Sequence, residues 1–301
     1  MSWPLDTQVP TDPVPVPPQV ARLAHGAQAD DVLGVWINGV GGTTFRLAGS
    51  SGVRFVKWQP GPPPAPAAPQ PGGLIGPPGD GSLAEEARRL AWAREHGARV
   101  PEVLDVGADD DGAWLVTSGL PGRSAVVEPW LSQPVVAARA LGAGLRTLHD
   151  ALPVADCPWT WGADVRLARA RARASSSGVD AWSSDTLHPD HHGVARDELL
   201  ARLEDVPPVD RLVVAHGDAC APNTLLADDG SYLATIDLDS LGVADRWADL
   251  AVAGWSTSWN YGRDLTAEVC AAYGVTPDEE RLAYYRLLTP RDPRDSAPAT
   301  R

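Results

Sequence analysis

The run LVVAHGDACAPNTLLADDGSYLATIDLDSLGVADRWAD, residues 212–249, sets His216, Asp218, Asn223 and Asp237 at the spacing of a magnesium-dependent phosphoryl-transfer site. Such a site needs few protein groups. A carboxylate, here Asp218, orients a substrate hydroxyl and takes its proton. Mg²⁺ asks for a small number of hard oxygen ligands and otherwise keeps water and substrate phosphates, so the amide of Asn223 and the carboxylate of Asp237 suffice. Cys220 lies in the same loop, but the loop already has a carboxylate for its chemistry, and a nucleophilic thiol is not expected there. Asp and Asn are also ordinary turn formers, as Asp228-Asp229-Gly230 illustrates. What sets the other three apart is that chemically matched side chains bracket apolar strands in the right order.

The elements that position these residues follow from the flanking pattern. An apolar lead, Leu212 to Ala215, delivers a short polar loop. A hairpin-like pair comes next, with arms Asn223 to Ala227 and Tyr232 to Asp237 and a turn in which Gly230 accepts φ > 0. The loop presents Asp218, while Asn223 and Asp237 reach one cation from adjacent segments.

On HGDACAPN followed by IDLDSLGVADRWAD the chain resembles the aminoglycoside phosphotransferase family, in particular the 3′-phosphotransferases of actinobacteria. The likeness continues through residues 96–117 (HGARVPEVLDVGADDDGAWLVT), 148–158 (LHDALPVADCP) and 273–288 (YGVTPDEERLAYYRLL), and covers residues 31–288. It implies an α+β, bilobal protein-kinase-like fold: an N-terminal antiparallel sheet with one helix, and a larger, mainly helical C-terminal lobe. It further implies that Asp218 is the catalytic aspartate, that Asn223 and Asp237 hold Mg²⁺, and that the γ-phosphate of ATP or GTP passes to a small-molecule hydroxyl. The motif is specific for the superfamily and weakly specific for the acceptor. A kinase for another small hydroxyl compound, such as a sugar, amino alcohol, nucleoside or other antibiotic, remains the alternative, as does a nucleotide-binding regulator without catalysis.

Upstream, residues 1–20 are rich in Pro and Val and read as an extended or disordered arm, with the folded part beginning near Val20. VLGVWING (32–39), TFRLAG (44–49) and VRFVKW (53–58) read as strands around a Val40-Gly41-Gly42-Thr43 turn whose backbone N–H groups can approach nucleotide phosphates. Residues 83–97 read as a helix, with Leu83, Ala87, Leu90 and Ala91 on one face and Glu86 in its first turns. Lys57 and Glu86 then match the lysine–glutamate pair that fixes an ammonium on the α- and β-phosphates, with Glu85 as the fallback carboxylate. Between them, residues 59–81 are dominated by Pro and Gly and read as a tolerated loop insertion that cannot continue a sheet. A hairpin over 102–122, turning at Asp109-Asp110-Asp111-Gly112, leads to a hinge. There the resemblance implies that the backbone of Thr117, Ser118 and Gly119 bonds the adenine.

The organisation is therefore an arm (1–20), a nucleotide-binding lobe (21–118, with the 59–81 insertion), a catalytic and acceptor-binding lobe (119–288) and a polar tail (289–301). The second lobe opens on a helix over 135–152 with Leu141, Leu145, Leu148 and Leu152 at core spacing and His149 as a capping or packing residue. HPDHH (188–192) lacks zinc spacing. By resemblance, residues 160–205 carry the acceptor loop, making Asp185, Asp190, Asp197 and Glu198 candidate anchors for substrate amines, while Asp239 is a candidate for the acceptor or a second ion. Arg246 and Asp249 read as structural, closing the loop by ion pairing. Several positions depart from the 3′-phosphotransferase pattern. Asp239-Ser240 stands in place of Gly-Arg, GWSTSWNYG (254–262) in place of a further acid, and Leu288-Thr289-Pro290 in place of C-terminal acids.

Composition narrows the class. A net charge of −14 argues against nucleic acid and favours a cationic acceptor. No run of about 18 apolar residues occurs, so no membrane-spanning helix is expected. Three cysteines, odd in number and far apart, suit reduced thiols and a cytoplasmic location, and the N-terminus lacks a secretory pattern.

Overall fold

The computed structural model describes residues 10, 12–37, 41–61, 82–175 and 187–289. A five-stranded antiparallel sheet dominates its N-terminal part, with strands β1 (Ala29–Ile37), β2 (Thr43–Gly49), β3 (Gly52–Pro60), β4 (Val103–Ala108) and β5 (Gly112–Ser118) in the order β1-β2-β3-β5-β4. Alternation splits its residues between two faces. Phe45, Leu47, Val56 and Val116 pack under helix α1 (Pro18–Gly26) through Val20 and Ala24. The other face carries Lys57, paired across the strands with Thr44 and Leu115, and is covered by helix α2 (Leu83–Glu95).

Two expectations change here. Residues 18–20, assigned to the arm, open α1 with Val20 fully buried, so the N-terminal part has a second helix. Pro17 lies just before it and Pro18 at its start, where a missing N–H costs nothing, so the proline richness that suggested disorder is compatible with helix initiation. Gln59 and Pro60, assigned to the insertion, instead extend β3 opposite Ala113 and Gly112, and Gly61 N donates to Asp111 O at 3.0 Å. The rest of the insertion, from residue 62 to 81, lies outside the described residues, as does the tail from residue 290.

α2 begins as the sequence predicts. Ser82 Oγ accepts from Glu85 N at 3.4 Å, Glu85 and Glu86 sit where the helix dipole favours carboxylates, and Gly97 at φ +87° follows the end. Its apolar stripe, Leu83, Ala87, Leu90 and Ala93, shares a core with Leu148, Trp159, Val214, Leu238 and Leu241 from the C-terminal part. Glu86 is thus anchored to the same core as the chemistry-bearing segments.

The C-terminal part is helical, with α3 (Pro134–Ala151), α4 (Ala163–Ser175), α5 (Arg196–Glu204), α6 (Trp247–Tyr261), α7 (Thr266–Tyr273) and α8 (Glu279–Leu288). Its short strands make two small sheets: β6 (Arg123–Ser124) with β8 (Thr224–Leu226) and β9 (Tyr232–Thr235), and β7 (Leu212–Ala215) with β10 (Gly242–Asp245). The hairpin read from 223 to 237 is β8–β9. The main core gathers Leu141 and Leu145 of α3, Val213 and Ala215 of β7, Leu250 of α6 and Leu282 of α8.

Candidate active site

The loop from His216 to Asn223 joins β7 to β8, and a buried carboxylate fixes its start. Asp249, fully buried in α6, accepts from His216 N at 2.6 Å through Oδ2 and from Gly217 N at 2.9 Å through Oδ1. His149 Nε2 lies 2.9 Å from the same Oδ2, and its Nδ1 lies 2.9 Å from the Tyr273 hydroxyl. Burial opposes the Asp249 charge, yet the donors, His149 foremost, hold its carboxyl below the usual value. Gly217 has φ +87° and a Cβ there would run into Ser240, so a side chain meets both strain and a clash. The expected Arg246–Asp249 closure does not form. Arg246 pairs with Asp210, Nη2 to Oδ2 at 2.6 Å, while Asp249 turns inward to the loop amides, a stronger claim on a buried carboxylate.

His216 is structural as well. Its Nδ1 accepts from Asp218 N at 3.3 Å and its Nε2 donates to Ile236 O at 3.1 Å, which ties the loop to the segment carrying Asp237. Asp218 is left open to solvent. Dense protein on its other sides, with Asp237 and Asp239 adding to the effect and His216 opposing it, raises its carboxyl to about 6. Burial and the Asp218 and Asp237 charges push the Cys220 thiol well up, so the sulfur stays protonated and is no nucleophile.

The hairpin joins the backbone of Asn223 to that of Ile236, the residue before Asp237. Ile236 N donates to Asn223 O at 3.0 Å, and Asp237 follows at φ +65°, a left-handed conformation that turns its side chain out of the strand. The side-chain hydrogen bonds of Asn223 all use Nδ2, to Asp218 O (3.0 Å), Asp218 Oδ2 (3.2 Å) and Cys220 Sγ (3.2 Å), which leaves Oδ1 as a hard donor. An amide oxygen beside a carboxylate fits Mg²⁺. Lys57 completes this corner, its Nζ 2.7 Å from Glu86 Oε1 and 2.8 Å from Asp237 Oδ1. Burial works against the Lys57 charge, but Asp237 and Glu86 hold the ammonium well above its ordinary value. For Glu86 the direction is reversed, burial raising the carboxyl and Lys57 opposing. Burial and the Asp237 charge also raise the Asp239 carboxyl, with Lys57 opposing.

The family model described as phosphotransferase enzyme family matches residues 74–285. The chain belongs to the phosphotransferase enzyme family. It is 40% identical over 215 residues to an aminoglycoside 3′-phosphotransferase of Streptomyces fradiae, covering 68% of this chain and 78% of that protein. It is 36% identical over 226 residues to a streptomycin 3″-kinase of Streptomyces griseus, covering 69% and 79%. Among solved structures, an aminoglycoside-3′-phosphotransferase of type VIII superposes with a TM-score of 0.66 at 32% identity, covering 86% of this chain and 92% of that one. The fold is therefore that of the bilobal aminoglycoside phosphotransferases, as the resemblance implied.

The family match starts downstream of Lys57. In this phosphotransferase the lysine is therefore placed by its own contacts with Glu86 and Asp237. Gly41, at φ +87° with open space where a Cβ would stand, leads through Gly42 into Thr43 at the start of β2, one residue from Lys57's cross-strand partner Thr44. The start of the turn, residues 38–40, lies outside the described residues. At the hinge, Ser118 N donates to Glu102 O and Gly119 N to Val53 O, at 2.9 and 2.8 Å.

Three of the acidic acceptor candidates have partners or positions of their own. Asp190 Oδ2 lies 3.1 Å from Arg286 Nη1 and 2.9 Å from His188 Nδ1, while Glu198 pairs with Arg202 at 2.7 Å along α5. Asp197 is exposed beside Glu198. Among the described residues no hydrogen bond or ion pair joins Asp190, Asp197 or Glu198 to the Asp218 loop, and Asp185 lies outside them. The other histidines of HPDHH reach backbone carbonyls, His191 that of Ala283 and His192 that of Leu187. The segment 254–262 instead sets Trp255 and Trp259 edge to face beside His188, and Ser256 Oγ accepts from Ala221 N at 3.0 Å. The partners of Asp249, His149 and Ser256 carried no local signal in the sequence, because each lies 32 or more residues away.

Proposed function

We propose that the chain transfers the γ-phosphate of ATP to the 3′-hydroxyl of an aminoglycoside, with Mg²⁺ as cofactor, in the cytoplasm. The observation that carries the reading is the convergence of Lys57 on both Glu86 and Asp237, next to Asn223 and Asp218. ATP is favoured over GTP because a 28% identical relative, APH(3″)-Id of Streptomyces rimosus, has been solved with ADP and streptomycin. The 3′-hydroxyl is favoured because the 40% identical Streptomyces fradiae relative is a 3′-phosphotransferase.

Lys57 grips the α- and β-phosphates while Glu86 orients its ammonium. Asn223 Oδ1 and Asp237 would hold Mg²⁺, which when bound neutralises charge on the β- and γ-phosphates. Asp218 orients the acceptor hydroxyl; as its oxygen bonds to the γ-phosphorus, the bond from that phosphorus to the β–γ bridging oxygen breaks and ADP leaves, while the hydroxyl proton passes to the Asp218 carboxylate. Positioning and charge neutralisation do most of the catalytic work. With Asp190 engaged by Arg286, fewer carboxylates meet substrate amines, and a lost charged contact weakens binding roughly ten- to a hundredfold. The acceptor range is therefore narrow.

The test is purified protein with MgATP and a panel of kanamycin- and neomycin-type compounds, a 3′-deoxy aminoglycoside, streptomycin and neutral polyols, read by mass spectrometry. A phosphate adduct on the 3′-hydroxyl compounds, absent from the 3′-deoxy one and lost in Asp218→Asn by at least about a hundredfold in kcat, is the expected result. Phosphorylation of a neutral polyol alone would replace the aminoglycoside reading.

A further inference from the structure

Arg89 is among the largest fully buried side chains of the molecule, and no step of the proposed transfer uses it. A guanidinium cannot shed its charge, so one held at 1% exposure has to be matched by acceptors that stay in place. It stands three residues after Glu86 on α2 and reaches out of the N-terminal part. Its Nε donates to Leu241 O at 3.2 Å, 152 residues along the chain. Nη1 lies 3.5 Å from Glu85 Oε2, and the guanidinium sits 5.1 Å from the centre of the Trp159 ring. Glu85, the alternative carboxylate for Lys57, is thereby turned to Arg88 and Arg89.

Leu241 belongs to the turn that follows Asp237. Leu241 N donates to Leu238 O at 3.2 Å, Ser240 closes against Gly217 of the Asp218 loop, and Gly242 opens β10 opposite Ala215 of β7. Lys57 Nζ contacts Glu86 at 2.7 Å and Asp237 at 2.8 Å, and the elements carrying those two carboxylates are joined a second time by the bond from Arg89 to Leu241. Apolar contact also brings α2 to this turn, but it is non-directional and lets a helix slide or rotate, whereas an N–H···O bond sets a distance and an angle. Among the described residues no other member of α2 hydrogen-bonds to residues 237–241. We propose that Arg89 is a positioning residue that fixes α2 against the 237–241 turn, so that Glu86 and Asp237 stand at the separation Lys57 needs to hold both, given the nucleotide roles proposed for those three residues.

Arg89→Met keeps the length and the apolar contact with Trp159 and removes every donor. With MgATP and an acceptor that is phosphorylated, kcat/KM for the nucleotide is expected to fall about tenfold, while the acceptor KM stays within about twofold of wild type. The affinity for MgADP, measured by titration calorimetry without an acceptor, should fall by a similar factor of roughly ten. Arg89→Lys keeps the charge but replaces the planar fork by a point ammonium, and should lose about threefold. A double-mutant cycle with Glu86→Ala separates positioning from general support of the fold. If Arg89 acts through the placement of Glu86, adding Arg89→Met to Glu86→Ala lowers MgADP affinity by less than about twofold more. A residue that only stabilises the fold would cost the same factor in both backgrounds. Thermal melts check folding, and if the methionine chain does not fold, the lysine chain replaces it in the cycle and its wild-type behaviour counts in the same way.

Wild-type MgADP affinity and nucleotide kcat/KM in the methionine chain would overturn the proposal, as would equal losses in the two backgrounds. Glu86→Ala alone tests the reading beneath it. If Glu86→Ala is impaired and Arg89→Met is normal, only the role of Arg89 is refuted; if Glu86→Ala binds and turns over MgATP normally, the nucleotide corner itself is misassigned.

Discussion

Lys57 Nζ lies 2.8 Å from Asp237 Oδ1, so the ammonium proposed to bind phosphates and the carboxylate proposed to bind a cation are each other's partner. The contact keeps a cluster that also includes Glu86 and Asp239 from carrying unpaired negative charge. Nucleotide binding then exchanges a ready-made pair for phosphate and cation contacts and does not have to assemble the corner from solvent.

Replacing Lys57 by Met removes the positive member of that corner. The nucleotide kcat/KM should fall at least about a hundredfold, since charge-assisted contacts are the stronger ones. Stability should fall by only about 1–3 kcal/mol, because Lys57 retains 29% side-chain exposure and water relieves part of the stranded charge. Steady-state kinetics and denaturant melts measure the two effects, and an unchanged nucleotide KM and kcat would remove Lys57 from the phosphate site.

Asp237→Ala and exhaustive chelation of divalent ions should have the same effect, abolished turnover, because each deprives the β- and γ-phosphates of their bridging charge. Activity that survives chelation points to a different reaction class.

Asp249→Ala leaves His216 N, Gly217 N and the His149 ring without their shared acceptor in a fully buried place. A loss of about 2–4 kcal/mol is expected, which corresponds to roughly 5–10 °C in Tm, and kcat should fall as the loop carrying Asp218 loosens. A chain with wild-type melting would show that Asp249 does not anchor the loop.

His188 gives stability a pH dependence. Burial, reinforced by the Arg286 charge and partly offset by Asp190 and Asp264, pushes its imidazole down to about 4, with His191 also facing it. An unfolded histidine protonates near 6.5, so the contribution is fully present above that pH and is lost as pH falls from 6.5 through 4. It amounts to about 1–3 kcal/mol after allowing for the exposed Asp190 side of the cluster. Between those limits Tm of the wild type should drop more steeply than that of His188→Gln, and parallel curves would refute the assignment.

Much of this was legible in the chain itself. Asp218, Asn223 and Asp237 are recognisable because a loop and hairpin of fixed local geometry set their spacing, and the apolar stripe from Leu83 to Leu90 marks α2 by helical period, whereas its Ser82 cap was not singled out. Proline misled in two places, at Pro18 and Pro60, since a residue without an N–H fits a helix start and the end of a strand as well as a loop.

What the sequence determined, then, is what local rules encode: strands, the periodic helix α2, the turn at Gly230, and the residue types for phosphate and cation. Only the tertiary structure decided which charges meet. Asp249 turns to the His216 and Gly217 amides and not to Arg246, Asp190 is taken by Arg286, and the Ser118 and Gly119 amides go to Glu102 and Val53. Several partners of similar chemistry compete for each of these groups from distant parts of the chain. Burial selects among them by how many hydrogen bonds each arrangement satisfies, and spacing along the sequence does not carry that information.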